Sequence, residues 1–319
     1  MSDPRQVTFK NGTIDLAAAL YLPDGHDETK VYPALVLATP GSSVKEQIGA
    51  TYAEKMAAQG FVAITFDPSY QGESGGTPRD LEDPATRVED IRCAVDYLLS
   101  LSFVDANRVA MLGICAGGGY AVNAAMTDHR IKALGTVVAS DMGKAFRAMQ
   151  SPADTIKLLE EVGEQRSIEA RGGPERRDPW IPDSLAEARA QGVTDRDVLD
   201  AVTYYRETHR HPRSTNRLYF ASKARILGFD GFGLVSELLT QPLQVIVGGR
   251  KGITHSYENG EDLFRRAKTV KDFYIVDGAG HYEMYWVPEY VDQAVLKLAS
   301  FYAAHLGAEV LPTPDFRET

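Results

Sequence analysis

A cysteine stands among glycines where an apolar segment gives way to small residues, in Leu112-Gly-Ile-Cys-Ala-Gly-Gly118. Residues 108–113 before it have the pattern of a buried strand, and residues 116–126 after it that of a helix. A sharp strand-to-helix turn crowds the neighbouring chain, and glycine tolerates such crowding. The helix N-terminus points N–H groups at Cys115 and favours the thiolate, which is the nucleophilic form of cysteine. The pattern predicts a nucleophile elbow with Cys115 in the nucleophile position.

Two other interpretations of this turn compete with the elbow. A turn of small residues can serve helix–sheet packing alone, with Cys115 a buried, unreactive thiol. A glycine-rich strand–helix turn can also cradle a phosphate, but neither the P-loop pattern nor the dinucleotide-binding glycine pattern is present here. The elbow is the favoured interpretation, because strand, turn and helix are all predicted in the right order.

Strands and helices alternate on both sides of the turn. Six short apolar runs predict buried strands, at residues 33–38, 61–66, 108–113, 131–139, 243–247 and 273–276. Asn11-Gly12 predicts a hairpin that adds two strands at the start. This order predicts an α/β fold, with a mostly parallel central sheet flanked by helices. Ligands are expected at the carboxyl ends of its strands.

The alternation stops over residues 143–228, a charged segment with helical pieces and no clear buried strand. An insertion of this length before the last two strands predicts a helical cap over the ligand-binding edge of the sheet. The expected domains are therefore an α/β core of residues 1–142 and 229–319, and a cap of residues 143–228.

Composition excludes several other classes of protein. The chain has 319 residues, 44% hydrophobic and 24% charged, as in soluble globular proteins. A net charge of −10 argues against nucleic-acid and anionic-membrane partners, which require clustered Lys and Arg. Two cysteines suggest no disulfide framework, and we find no secretory signal or apolar run long enough to span a bilayer. A cytoplasmic protein is expected.

Several motifs resemble one superfamily. The Cys115 elbow resembles that of the α/β hydrolases, and its cysteine form is similar to the dienelactone hydrolase family. Residues 67–76, Asp-Pro-Ser-Tyr-Gln-Gly-Glu-Ser-Gly-Gly, resemble the turn after the fourth strand of that fold, and Gly278-Ala-Gly-His281 resembles its histidine loop. With residues 43–47 and 89–92, these motifs resemble a branch of uncharacterised bacterial hydrolases and fungal polyketide transferases. The resemblance implies the α/β-hydrolase fold with a helical cap.

His281 has the position that this fold requires of its general base. It follows the last predicted strand in a glycine-rich loop, and it comes after the nucleophile in the chain. Among seven histidines only His281 is placed in this way. His209 and His211 lack a third ligand at zinc-like spacing, so we predict no metal and no cofactor.

In this fold a carboxylate usually orients the histidine, and it follows the strand before last. This chain has no carboxylate there and has Gly252 at about that position. Some members of the superfamily take the acid from the end of the preceding strand, which makes Asp141 the predicted acid. Asp141 could instead cap the following helix. Glu258 and Glu283 are reserve candidates, and a cysteine–histidine dyad without an acid is a third solution.

Stabilising an oxyanion requires two N–H donors. In this fold Ala116, the residue after the nucleophile, supplies one. The other is expected from the loop at residues 39–43. Because Pro40 has no N–H, Gly41 or Ser42 is the predicted donor.

Together these residues predict an enzyme that cleaves or transfers the acyl group of an ester or thioester through an acyl-Cys115 intermediate. Its partner is a small-molecule acyl substrate. One alternative is a polyketide acyltransferase that moves the acyl chain onto an alcohol, with an acyl-carrier domain as the partner that delivers the chain. A second alternative is a non-catalytic binding module. The sequence leaves open whether the chain forms a homo-oligomer.

Overall fold

A computed structural model describes residues 3–307. Its strands are β1 (Arg5–Asn11), β2 (Ile14–Tyr21), β3 (Tyr32–Ala38), β4 (Val62–Phe66), β5 (Val104–Ile114), β6 (Ile131–Val137), β7 (Arg177–Pro179), β8 (Arg217–Tyr219), β9 (Leu243–Gly248) and β10 (Lys271–Val276). Eight of them form one sheet in the order β1-β2-β4-β3-β5-β6-β9-β10. The β1–β2 and β2–β4 pairs are antiparallel and the other five are parallel. The predicted mostly parallel sheet is confirmed.

Helices connect these strands. They are α1 (Ala50–Ala58), α2 (Pro84–Leu99), α3 (Ala116–Thr127), α4 (Met142–Ala148), α5 (Pro152–Ala170), α6 (Leu185–Ala190), α7 (Arg196–Val202), α8 (Ser222–Leu227), α9 (Val235–Leu238), α10 (Ser256–Arg266), α11 (Glu283–Trp286) and α12 (Pro288–Leu306). There are also two π-helical turns. Lys45–Gly49 directly precedes α1, and Thr203–Thr208 directly follows α7.

Apolar side chains cover both faces of the sheet. Successive residues of a strand point to opposite faces, so the fully apolar β3 contributes to two cores. Val36 packs on one face, in the cluster that includes side chains of α2 and α3. Leu35 and Leu37 pack on the other face, in the cluster that includes side chains of α1 and α12. The continuous apolar runs in the sequence reflect this two-sided burial.

The segment between β6 and β9 contains α4 to α8 and a second, two-stranded antiparallel sheet of β7 and β8. The sequence analysis missed this small sheet because each strand has only three residues, too few for an alternating pattern to be seen. The longest of the helical pieces expected here is α5, over Pro152–Ala170. We keep the name cap for residues 143–228. Residues 308–319 of the predicted core lie outside the described residues.

A cluster of charges joins the cap to the core. The cap residue Arg213 makes ion pairs of 2.7 Å with Glu46 and with Glu73. Both carboxylates also bind the ammonium group of Lys45, which is buried and lies 3.3 Å from the buried carboxylate of Asp67. The cap is therefore held against the loop that follows β3.

Gly117 allows α3 to approach the end of β3. A Cβ atom at Gly117 would lie 2.1 Å from the carbonyl oxygen of Ala38, and a backbone atom cannot rotate away. We expect Gly117→Ala to lower the free energy of unfolding by about 3 kcal/mol, because the overpacked turn must shift. Urea unfolding measures this change.

Gly163 in α5 supplies the matched control, because nothing lies within 4 Å of its Cβ position. Gly163→Ala should leave stability unchanged or raise it by up to about 1 kcal/mol, since alanine favours a helix. Equal stabilities of wild type and Gly117→Ala would contradict the close approach of α3.

Candidate active site

Cys115 occupies a strained turn between β5 and α3. Its backbone has φ 53° and ψ −122°, a conformation that non-glycine residues rarely adopt. Hydrogen bonds fix it there: its N–H donates to Val137 over 3.1 Å, and its carbonyl accepts from the Gly118 and Ser140 N–H groups over 2.8 Å. Strain of this kind persists only where the surroundings impose it, and it is frequent at functional sites. The strand, turn and helix predicted around Cys115 are thus observed.

Cys115 and His281 line one cavity of about 250 Å³, between the carboxyl ends of the strands and the cap. The core contributes Ala116, Gly41 and Ser42 to the same cavity. Much of the remaining wall is apolar or aromatic, formed by Met142, Phe146, Met149, Trp180, Ile181, Val198, Tyr205, Ile253, Tyr282 and Tyr285.

Tyr285 connects the thiol to the imidazole. Its hydroxyl lies 3.0 Å from His281 Nε2, and its interaction with the Cys115 thiol lowers the pKa of that thiol. Within residues 3–307 no direct hydrogen bond joins Cys115 to His281. The sequence analysis missed Tyr285, although its place four residues after His281 was a usable signal. Tyr285 therefore interacts with both the thiol and the imidazole inside one cavity.

Burial sets the resting charges of the site. It raises the pKa of the Cys115 thiol, against the opposite effects of the Tyr285 hydrogen bond and the Ala116 N–H. Burial also lowers the pKa of His281 to about 3. At neutral pH the resting site therefore holds a neutral thiol and a neutral imidazole. The sequence predicted a thiolate instead. The prediction fails because desolvation raises the pKa of the thiol by more than the helix N-terminus lowers it.

The predicted contact between Asp141 and His281 is not found. Asp141 Oδ1 accepts a hydrogen bond from the Lys144 N–H, and Oδ2 accepts one from the Gly231 N–H, each over 3.1 Å. The residue caps α4, the competing role that its position in the sequence had suggested. Burial raises the pKa of its carboxyl, and the neighbouring Asp230 raises it further.

The reserve carboxylates are also engaged elsewhere. Glu283 accepts hydrogen bonds from Arg250 and from the Gly280 N–H, both over 2.7 Å. Glu258 lies 3.7 Å from the ammonium group of Lys251. His281 Nδ1 is buried, and no hydrogen-bond partner for it exists among the residues that the structure describes.

A carboxylate that the sequence analysis did not consider lies where the usual acid is absent. Asp197, on cap helix α7, lines the cavity with Cys115 and His281. A Cβ atom at Gly252 would lie 2.0 Å from Asp197 Oδ2. No sequence pattern connects two residues so far apart in the chain, so only the fold reveals their proximity.

The predicted oxyanion donors line the same cavity as Cys115. The Ala116 N–H at the start of α3 lowers the pKa of the Cys115 thiol. The Gly41 and Ser42 N–H groups, in the loop after β3, have no hydrogen-bond partner in the described part of the chain. Two or more N–H groups are thus available beside the thiol.

Both core and cap hold this loop in place. Arg87 donates to the Thr39 carbonyl over 2.6 Å, and Asp67 accepts from the Lys45 N–H over 2.8 Å. From the cap, Ser214 donates to the Ser42 carbonyl over 2.8 Å. The loop is therefore anchored at both ends and near its centre.

Among residues 3–307, no three His, Cys, Asp or Glu side chains are grouped as a metal site requires. No helix in this range combines the length and apolarity needed to cross a membrane.

Comparisons with known proteins identify the family. The uncharacterised protein YcjY of Escherichia coli (strain K12) is 39% identical over 306 residues, which cover 93% of this chain and 97% of that protein. The family model of X-Pro dipeptidyl-peptidase (S15 family) matches residues 11–157. The crystal structure of the α/β hydrolase GrgF from Penicillium sp. sh18 superposes with a TM-score of 0.78 at 19% identity, over 96% of this chain and all of that one. The chain belongs to the same family as YcjY, and its fold is that of the α/β hydrolases.

Two further proteins are similar to this chain over most of their length. The crystal structure of the hypothetical protein PA2218 from Pseudomonas aeruginosa has a TM-score of 0.85 and 32% identity, covering 95% of this chain and 94% of that one. The polyketide transferase claH of Penicillium crustosum is 30% identical over 263 residues, 79% of this chain and 81% of that protein. The resemblance to a branch of bacterial hydrolases and fungal polyketide transferases is confirmed.

The buried neutral His281 predicts a pH dependence of stability. Its pKa is about 3 when folded, against an ordinary value of 6.5 in the unfolded chain. Between these values only the unfolded chain binds the proton, so the contribution to stability is complete above pH 6.5 and is lost as the pH falls toward 3. When the pH falls from 7 to 4.5, the free energy of unfolding of wild type should decrease by about 2 to 3 kcal/mol more than that of His281→Gln.

Urea unfolding of both proteins at the two pH values measures the difference. Parallel losses in wild type and His281→Gln would contradict a His281 that is buried in its neutral form.

Proposed function

We propose that the chain is a cysteine-dependent enzyme that cleaves or transfers the acyl group of an ester or thioester through an acyl-Cys115 intermediate. Its family and relatives make it a hydrolase or acyltransferase of ester bonds, as the sequence predicted. The cysteine chemistry is supported above all by one observation: Cys115, Tyr285 and His281 line a single cavity, in which the Tyr285 hydroxyl lies 3.0 Å from His281 Nε2 and lowers the pKa of the Cys115 thiol.

Acylation begins with the neutral thiol. As Sγ bonds to the carbonyl carbon, its proton passes to the Tyr285 oxygen while the Tyr285 proton passes to His281 Nε2. The carbonyl π electrons move to oxygen, and the Ala116 N–H and an N–H of Gly41 or Ser42 hold the oxyanion. Losing one such donor raises a barrier by about 3 kcal/mol.

The tetrahedral adduct then collapses. The C–O or C–S bond to the leaving group breaks, and the proton returns from His281 through Tyr285 to that group. Water or an alcohol next attacks the acyl-Cys115 carbonyl and gives its proton to His281. Cys115 leaves as the thiol, with the proton restored to sulfur, and the product is a free acid or a new ester.

The cavity indicates a neutral, largely apolar acyl chain. Within residues 3–307 no Lys or Arg lines it, and Asp197 is the only carboxylate that does. Met149 and Ile253, 68% and 47% exposed, continue the apolar wall to the surface. An anionic acyl group would meet no cation there and would face the charge of Asp197, so it should be a poor substrate.

Acyl transfer to an alcohol is a second candidate, and the similarity to polyketide transferase claH favours it. Transfer uses the same residues, but the alcohol must compete with water for the acyl-Cys115 carbonyl. An acyl-carrier domain is then the expected source of the chain.

Replacement of Cys115 tests the proposal. With the hexanoyl thioester of N-acetylcysteamine as substrate, Cys115→Ala should lower kcat by about 10³-fold or more, because the alanine side chain cannot form the acyl intermediate. Intact mass after rapid quenching should show a hexanoyl adduct on wild type and none on the variant. Adding hexanol separates the two candidates, since hydrolysis yields hexanoic acid and transfer yields hexyl hexanoate.

Cys93→Ala is the control, because burial raises the pKa of Cys93 to about 11 and its thiol lies outside the cavity. Its activity should equal that of wild type. A Cys115→Ala protein as active as wild type would exclude the acyl-cysteine mechanism. A wild type that forms no adduct and does not turn over the thioester would favour the binding module.

A further inference from the structure

His281 lacks a group that would stabilise its charged form. Acyl transfer through Tyr285 protonates Nε2, so the ring carries a positive charge in a buried site. Nδ1, the other ring nitrogen, is buried with no hydrogen-bond partner in the described chain. An isolated buried charge is costly, and a carboxylate near Nδ1 is the usual solution for a catalytic imidazole.

Asp197 is a carboxylate without a cation. The residue is 4% exposed, and within residues 3–307 no Lys, Arg or His lies within 4.0 Å of its oxygens. Oδ2 accepts hydrogen bonds from the N–H and the hydroxyl of Thr254, over 3.2 and 3.0 Å. Oδ1 accepts none in the same range of residues. A buried carboxylate with no cationic partner is unfavourable unless a positive charge forms nearby.

The positive charge would form in the cavity that Asp197 lines. Cys115, His281 and Tyr282 line it as well. The ring centroids of Tyr282 and His281 are 4.7 Å apart. Burial raises the pKa of Tyr282, and the charges of Cys115 and Asp197 raise it further, so Asp197 acts on the immediate surroundings of His281.

We infer that Asp197, supplied by the cap, is the carboxylate that stabilises the His281 imidazolium. This inference builds on the proposed acyl-cysteine chemistry. The proton stays on the imidazole, and Asp197 remains ionised throughout. Asp197 is proposed to act through the imidazole, so it is a positioning residue. The unbonded Nδ1–H and the unbonded Oδ1 are the two atoms that approach when the ring becomes charged.

Gly252 makes the inference testable by moving the acid. A side chain at Gly252 would start in the space that the Asp197 carboxylate fills, 2.0 Å from Oδ2. The backbone at Gly252 lies outside the left-handed region, so a side chain is permitted once Asp197 is shortened. The double variant Asp197→Ala with Gly252→Asp therefore transfers the carboxylate from the cap to the core.

Turnover of the hexanoyl thioester is the first readout. Asp197→Ala should lower kcat by about 10²-fold with little change in KM, because the imidazolium loses its counter-charge after binding. The double variant should have a kcat about tenfold or more above that of Asp197→Ala. Asp200→Ala, on the same helix and paired only with Arg196 and Arg250, should stay within about threefold of wild type.

Alkylation of Cys115 by iodoacetamide at pH 7 is the second readout and requires no acyl substrate. Asp197→Ala should slow it, since the thiolate–imidazolium pair becomes less populated, and the double variant should restore it. Full activity and labelling in Asp197→Ala would overturn the inference. A folded Asp197→Ala that the second substitution does not rescue would also overturn it, because the residue would then act through the structure of the cap. Failure of the proposed function would show separately, as a Cys115→Ala protein with wild-type turnover.

Discussion

Burial of one thiol and one imidazole away from water sets the protonation states on which the site depends. In water the two groups titrate within a few pH units of each other, but in the cavity burial pushes the pKa of Cys115 up and that of His281 down. Both are neutral at rest, so in the proposed mechanism the charges needed for attack form only during the reaction. The Tyr285 hydroxyl, 3.0 Å from His281 Nε2, is the proposed path by which one proton shift creates both charges.

The remaining features serve this cavity. The strained turn at Cys115 directs the thiol away from the sheet, and the glycines beside it let α3 approach the end of β3 and the loop with Gly41 and Ser42. The cap closes the site with apolar walls and contributes Asp197, while Arg213 and Ser214 attach it to the same loop. The proposed chemistry thus depends on docking of the cap as well as on the core.

The sequence predicts the core well because the core follows local rules. Buried parallel strands are continuous apolar runs, and an elbow requires glycine at known positions, so β3 to β6, Cys115 and His281 could be located without coordinates. The β7–β8 pair could not, because three-residue strands carry no period. Asp141 was chosen by analogy, yet its carboxylate caps α4. Tyr285 and Asp197 reach the site only through folding, from a short helix and from the cap.

The central claim is that the proton of Cys115 reaches His281 through Tyr285. The most direct test compares kcat/KM of Tyr285→Phe and Tyr282→Phe on one acyl thioester. Tyr282 also lines the cavity and touches the His281 ring, but it does not bridge it to the thiol. We expect a loss of about 10²-fold or more for Tyr285→Phe and a loss of only a few-fold for Tyr282→Phe. Equal activities of the two variants would contradict it.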